Sequence, residues 1–300
     1  MPLALDPHKT RMTIWLPALT LLWFCLVSLP LAAVERGTTQ TQEPSTPAAQ
    51  LELALKYLKG EGVPQDASEA AKWFRKAGEQ GSALAQFNLG VLFYLGVGVS
   101  QDYGEAAKWF LKAAAQGHAE AQTNLGSLYE NGQGVAQDYA EAMKWYLRAA
   151  ELGDAKAEIN LGLMYDNGRG VPEDDAKAAK WYRRAAERGY APAQGNLGLL
   201  YQYGQGVPQD EVEAVKWYRK AAEQGDANGQ NNLGAMYTNG RGVPRDFVQG
   251  YMWFLLAAVG GDKIAAQNLG QVARFMTREQ IAEALRLASN WLKTHKRENE

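Results

Sequence analysis

The sequence predicts an all-α fold, a right-handed solenoid of stacked helix pairs, and three periodic features of its 300 residues predict it. A tryptophan, an Asn-Leu-Gly triplet and a Gly-x-Gly-Val loop each recur with a period of 36 residues. A single helix pair cannot bury its apolar stripe alone, so repeated pairs are expected to stack around a continuous core. The periodic tryptophans are Trp73, Trp109, Trp145, Trp181, Trp217 and Trp253.

Residues 1–33 have the pattern of a secretory signal peptide. A short basic start precedes a nearly uncharged run over residues 12–34, with small side chains at Ala32 and Ala33. We expect cleavage after Ala33 and a periplasmic or secreted mature protein. The alternative is an uncleaved anchor in the inner membrane, because the apolar run is long enough to span a bilayer. Residues 34–47 are rich in Thr, Gln and Pro, which predicts a flexible linker.

Six 36-residue units fill residues 48–263, residues 264–293 predict a capping helix pair, and residues 294–300 predict a tail. In the unit 120–155, apolar residues at three- and four-residue spacing predict a first helix that ends near Gly132. Asp138 is the expected N-cap of the second helix, and Glu141 three positions later predicts a capping box. Thr277 and Gln280 predict the same motif in the closing helix. Each periodic Trp is expected in the core.

Composition argues against several classes of function. The 31 Lys+Arg and 33 Asp+Glu give a net charge of −2, so nucleic acid is not an expected partner. Cys25 is the sole cysteine, and His8, His118 and His295 are widely spaced, so neither a disulfide framework nor a metal site is expected. The glycine loops lack the Lys-Ser/Thr of a phosphate-binding loop. We therefore predict a protein without cofactor that is not an enzyme.

One unit has an unusual candidate binding surface. A helical wheel of the first helix in unit 84–119 places four apolar residues opposite the buried stripe, which is unexpected on a free surface. Phe87 and Tyr94 are expected to anchor a partner protein or peptide, and replacing both by Ser is expected to leave the fold intact. The equivalent row of the next unit is polar. The four residues of the predicted surface are Leu84, Phe87, Val91 and Tyr94.

The consensus A-x-A-Q-x-N-L-G-x-x-Y-x-x-G-x-G-V-P-Q-D resembles the Sel1-like repeat, a relative of the tetratricopeptide repeat, over residues 48–275. The resemblance implies a scaffold or adaptor that binds proteins or peptides. In tetratricopeptide relatives, an Asn at the matching helix position holds a peptide backbone or carboxylate. An amide that both donates and accepts hydrogen bonds suits this role, although these Asn side chains could instead bond neighbouring helices. The matching residues are Asn88, Asn124, Asn160, Asn196, Asn232 and Asn268.

Two alternative functions remain open at the level of sequence. Some relatives with Sel1-like repeats are linked to β-lactam binding or hydrolysis, but they carry a disulfide in nearly every repeat. This chain has no cysteine after Cys25, which disfavours the enzyme hypothesis. A purely structural spacer is the second alternative, and it predicts no preferred surface.

Overall fold

The computed structural model describes residues 44–297, and all regular structure in this part of the chain is helical. The first helix begins at Pro47, the last residue of the predicted linker, and the last helix continues to Arg297, inside the predicted tail. The signal peptide and residues 34–43 lie outside the described residues. The helices are α1 (Pro47–Lys59), α2 (Ala67–Glu79), α3 (Ala83–Leu95), α4 (Tyr103–Ala115), α5 (Ala119–Asn131), α6 (Tyr139–Glu151), α7 (Ala155–Asp166), α8 (Asp175–Glu187), α9 (Ala191–Tyr203), α10 (Glu211–Glu223), α11 (Ala227–Asn239), α12 (Phe247–Val259), α13 (Lys263–Val272) and α14 (Arg278–Arg297), with a 3-10 turn at Ala273–Phe275.

Helix pairs are the building blocks of the fold, as predicted. Each odd-numbered helix from α1 to α11 packs on the even-numbered helix that follows it, whereas α13 and α14 both pack on α12. The described residues form two compact units, an N-terminal unit up to Asp154 and a C-terminal unit from Ala155. Within each unit the second helix of one repeat also packs against the first helix of the next. The prediction of an all-α repeat fold is confirmed.

In five of the six Asn-Leu-Gly triplets, the glycine lies against an aromatic ring of the second helix in the same pair. A Cβ atom built on Gly90 would lie 2.6 Å from Cδ1 of Phe110, and one on Gly126 would lie 2.7 Å from Cε1 of Tyr146. Real Cβ atoms do not approach other atoms so closely, so this contact requires glycine. The same contact joins Gly162 to Tyr182, Gly198 to Tyr218 and Gly234 to Phe254.

In four of the loops, the second glycine fits against the preceding repeat. Gly98 has φ of 69° and Gly134 has φ of 70°, a conformation that favours glycine. A Cβ on Gly98 would collide with the backbone of Ala67, and one on Gly134 with the backbone of Tyr103. Ala67 and Tyr103 are the first residues of α2 and α4. These loops therefore lie on the N-terminus of the second helix one repeat earlier.

The predicted capping box forms only in part. Oδ1 of Asp138 accepts a hydrogen bond from the N–H of Glu141 at 2.9 Å, as expected of an N-cap. The reciprocal bond is replaced, because the N–H of Asp138 donates to the carbonyl of Tyr129 at 2.9 Å and Glu141 pairs with Lys144 at 2.8 Å. The closing helix has the complete box: Thr277 N–H donates to Gln280 Oε1 at 2.9 Å, and Gln280 N–H donates to Thr277 Oγ1 at 3.3 Å.

The tryptophan row is core, as predicted, although Trp181 is only half-buried. Basic side chains, from residues one helical turn further along the same helix, also lie over these rings. Nζ of Lys112 lies 3.9 Å from the ring centroid of Trp109, and the guanidinium of Arg148 lies 4.7 Å from that of Trp145. Such contacts are attractive because the ring face is electronegative. The basic side chains therefore cover the indoles at the surface of the second helices.

A buried glutamine links consecutive repeats, a role that the sequence analysis did not assign. Nε2 of Gln86 donates to the carbonyl of Gly78 at 2.8 Å, and Oε1 of Gln86 accepts from Nε2 of Gln116 at 2.8 Å. One side chain thus joins α2, α3 and the end of α4. Gln50 with Gln80 and Gln194 with Gln224 repeat the amide–amide bond. Because buried amides need partners, this ladder specifies the register of stacking.

Substitution of the triplet glycine tests the ring contact. We expect Gly126→Ala to lower the free energy of unfolding by about 1–3 kcal/mol, because the new methyl group displaces the buried ring of Tyr146. Gly270→Ala is the matched control, since a Cβ there meets no atom within 4 Å. It should be neutral or stabilise the helix by up to about 1 kcal/mol. Urea unfolding of both variants measures the difference, and equal effects would contradict the assignment.

Candidate functional site

The predicted surface on α3 is mostly buried. Phe87 is 1% exposed and Val91 7% exposed, whereas Leu84 and Tyr94 are half-buried. The ring of Phe87 stacks on the imidazole of His118 with 4.5 Å between centroids and lies 5.9 Å from that of Phe110. The expectation that Phe87 and Val91 face outward is therefore wrong. Phe110 of α4 and His118, the N-cap residue of α5, cover this side of α3.

The burial of Phe87 also overturns the expected behaviour of the Phe87→Ser, Tyr94→Ser double variant. Truncating a fully buried phenylalanine leaves a cavity, and such changes destabilise a domain by about 3–5 kcal/mol. That variant would lose stability and could not separate a binding role from a role in the core.

The accessible part of α3 is nevertheless entirely apolar. Its half-buried residues are Ala83, Leu84, Tyr94 and Leu95, and every residue from 85 to 93 is buried. Leu84 and Leu95 are eleven positions apart, which places them on one side of the helix. The ring of Tyr94 meets that of Tyr103 edge-on at 5.2 Å, and burial raises the pKa of Tyr94, so its hydroxyl stays neutral. We call Leu84, Tyr94 and Leu95 the α3 strip.

The next first helix, α5, offers mainly polar side chains. Glu120 and Asn131 are exposed, and Asn124 and Ser127 are half-buried. Thr123, which the helical wheel placed on the accessible row, is 5% exposed. The accessible surface of the first helices therefore changes from apolar on α3 to polar on α5. A ligand that contacts both helices meets an apolar side and a hydrogen-bonding side.

The asparagine ladder does not behave as one set. Nδ2 of Asn88 donates to the carbonyl of Leu84 in its own helix at 2.8 Å, and Nδ2 of Asn268 donates to Oδ1 of Asn231 at 3.0 Å. Asn196 and Asn232 are buried, and Nδ2 of Asn196 has no hydrogen-bond partner. Asn124 and Asn160 are half-buried. Amide bonds within the fold thus occur at two positions, and a ligand-binding role stays a prediction.

His118 has a structural role that its isolated position did not predict. Its Nδ1 accepts a hydrogen bond from the N–H of Ala121 at 3.3 Å and so caps α5, where the equivalent cap of α3 is Ser82. The side chain borders an open cleft of about 340 Å³ that Glu120, Leu152 and Asp154 also line. Burial lowers the pKa of His118, and the carboxylates of Glu120 and Asp154 oppose this shift.

Residues 44–297 contain neither a candidate metal cluster nor a candidate membrane-spanning helix. This part of the chain has no group of three or more His, Cys, Asp or Glu side chains that could hold a metal ion. None of its helices combines the length and the apolar character needed to cross a membrane.

Stacked helix-turn-helix pairs of this kind define a helical-repeat protein of the tetratricopeptide type. The sequence pattern of the Sel1 repeat matches the chain six times, and the chain belongs to the Sel1 repeat family. Each match begins one residue before the corresponding 36-residue unit predicted from the sequence. They cover residues 47–82, 83–118, 119–154, 155–190, 191–226 and 227–262.

Solved structures agree with this assignment. The chain is similar to a Sel1 repeat protein from Oxalobacter formigenes, with 39% identity, a TM-score of 0.67, and coverage of 71% of this chain and 85% of that one. It is also similar to c5321 of uropathogenic Escherichia coli, a protective antigen with an SLR fold, with 35% identity and a TM-score of 0.56. That match covers 85% of this chain and 62% of the E. coli chain. A comparison with curated proteins finds no match.

The cap formed by His118 predicts a pH dependence of stability. Folding lowers the pKa of His118 from its ordinary value of about 6.5. At a pH between these two pKa values, the unfolded chain binds more protons than the folded protein. The stability of the fold should therefore decrease as the pH falls from about 6.5 past the lower pKa of the folded state. Protonated Nδ1 cannot accept from Ala121, and a lost cap costs about 0.5–2 kcal/mol.

His118→Ser, which copies the cap of α3, is the matched comparison. Urea unfolding between pH 7.5 and 5 should show a smaller loss of stability for this variant than for the parent chain. Parallel pH profiles for the two proteins would rule out this role of His118.

Proposed function

We propose that this protein is a non-catalytic scaffold of the bacterial cell envelope that binds a protein or peptide through the first helices of its repeats. The observation that carries the proposal is the α3 strip, where every accessible residue is apolar beside the polar face of α5. Partner binding concentrates in a few anchors, and aromatic residues are enriched among them. Tyr94 is the aromatic of the strip. The repeat family supports the class of function, because Sel1 repeats generally mediate protein–protein interaction.

The geometry of the strip suits one side of an amphipathic segment. Leu84 and Leu95 lie at opposite ends of the same side of α3, about 16 Å apart along the helix axis by the 1.5 Å rise per residue. A partner helix of three turns spans this distance. Asn124 on α5 offers both a donor and an acceptor to polar groups of the same ligand.

Export is the second part of the proposal. Residues 1–33 have the sequence of a signal peptide, and the related E. coli protein is described as a protective antigen, which favours a location accessible to antibodies. The measured N-terminus of the mature protein tests export. It should lie near Val34, and an intact N-terminus in a carbonate-resistant membrane fraction would support the anchor instead.

Binding or hydrolysis of β-lactams is the weaker candidate function. The disulfides that accompany that activity in relatives require cysteines, and the chain has none after Cys25.

The binding proposal is tested by capture from envelope extract with residues 34–300 as bait, followed by mass spectrometry and affinity measurement with the purified partner. Leu84→Ser with Tyr94→Ser should weaken binding by about 2 kcal/mol, roughly 30-fold, because both contribute accessible apolar surface. Circular dichroism checks that the half-buried positions tolerate the change. Val212→Ser, at a residue 53% exposed in the C-terminal unit, is the control. Equal affinity of a folded double variant and the parent chain would refute a role for the strip.

A further inference from the structure

The second helices of the N-terminal unit carry two exposed leucines at equivalent positions one repeat apart. Leu111 in α4 is 45% exposed and Leu147 in α6 is 36% exposed. They lie on the second helices, whereas the α3 strip lies on a first helix.

Three of the other four repeats have an arginine at this position that contacts an aromatic ring, and the fourth has Leu255, which is half-buried. Arg183 donates to the hydroxyl of Tyr201 at 2.7 Å, and Arg219 donates to that of Tyr237 at 2.6 Å. Arg75 lies 5.5 Å from the ring centroid of Phe93. Leu111 precedes Tyr129 by the same 18 residues and cannot make this bond. The chain therefore gives up a contact between repeats and exposes an apolar side chain instead.

Leu152, at the end of α6, repeats this exchange. Its equivalents Gln80, Gln116 and Gln224 donate to the buried glutamine of the ladder. Leu152 cannot donate, it is 56% exposed, and Oε1 of Gln122 is left buried without a partner. An unpaired buried carbonyl is unfavourable, so Leu152 forgoes the stability that the glutamine bond gives in other repeats. Three leucines in two consecutive repeats thus expose apolar surface where an Arg or Gln of other repeats makes a contact between repeats.

The charges around the leucines indicate what the surface binds. In α2, α4 and α6 there are seven Lys or Arg and five Glu, whereas the remaining residues of 44–154 hold two Lys and eight Asp or Glu. The net charge is +1 on α2, +1 on α4 and zero on α6, whereas the rest of the unit sums to −6. Lys108 and Lys112 lie three positions before and one position after Leu111, and both are exposed. Lys144 and Arg148 have the same spacing from Leu147 and are also exposed. Lys108 and Lys144 each pair with a Glu of their own helix, but their side chains stay 70% and 65% exposed.

We infer that Leu111 and Leu147, with these four cations, form a docking surface for an acidic amphipathic segment of a partner protein. Two apolar anchors one repeat apart contact its apolar side, and the flanking cations pair with its carboxylates. Complementary charge of this kind speeds association and selects the partner. The surface is independent of the α3 strip, so the protein can hold one partner on its first helices and another on its second helices.

Site-specific photo-crosslinking in the cells that make the protein tests this inference. A photoreactive residue replaces Ala115, which is exposed one turn beyond Leu111, and the control replaces Val212. The crosslinked segment should carry apolar residues at helical spacing and a net negative charge. Leu111→Ser with Leu147→Ser, both at exposed positions, should reduce crosslinking at least tenfold.

A synthetic peptide with the crosslinked sequence then gives the affinity and its dependence on salt. Lys112→Gln with Arg148→Gln should weaken binding and flatten the salt dependence. The Leu84→Ser, Tyr94→Ser variant should crosslink at position 115 like the parent chain, which separates this surface from the proposed function. The inference is overturned by crosslinking no stronger than at position 212, by its survival in the double Ser variant, or by a captured segment that is basic, a lipid or a second copy of this chain.

Discussion

The structure depends on one close contact, an aromatic ring of the second helix packed onto a glycine of the first. At Gly90 and Gly126 the ring occupies the space that a Cβ would need. This brings the ring onto the helix backbone, and interiors packed so densely tolerate little change of volume. At Gly270 no ring follows and the space is open, because the terminal pair has a different second helix. The contact therefore occurs in the five pairs whose second helix places an aromatic ring on the triplet glycine.

Close packing within and between repeats leaves little of the first helices accessible. Phe87 and Val91 are covered, and Asn88 bonds to its own helix, so recognition has to use what remains at the surface. The α3 strip is one such place and the exposed leucines of α4 and α6 are another. Both are local departures from the repeat pattern. In a repeat protein the shared positions serve stacking, and individual surfaces arise where one repeat differs from the others.

The sequence predicted the elements of the fold well because each depends on local chemistry or on strict periodicity. Helix ends at Gly132, the N-cap at Asp138 and the core position of Trp145 follow from residues close in the chain. Burial of Phe87 depends on contacts with Phe110 and His118 of other elements. A helical wheel shows which residues share a side of a helix, but not how much of that side other elements cover.

The errors at single residues have the same origin. Glu141 pairs with Lys144 because the N–H of Asp138 is already bonded to Tyr129, an arrangement set by the preceding helix. His118 caps α5 although histidine is rarely the residue expected there, and an isolated histidine gives no pattern to detect. The exposed leucines could have been noticed in the sequence by aligning the six repeats position by position. Their meaning requires the arginine–tyrosine bonds that they replace.

A double-mutant cycle on Gly90 and Phe110 tests the central contact most directly. Gly90→Ala inserts a methyl group into the ring's space, and Phe110→Leu removes the ring, so each alone should destabilise the protein. If the ring-on-glycine contact holds the pair together, the double variant should be more stable than the sum of the single effects by at least about 1 kcal/mol. Unfolding free energies that add within about 0.5 kcal/mol would contradict the account.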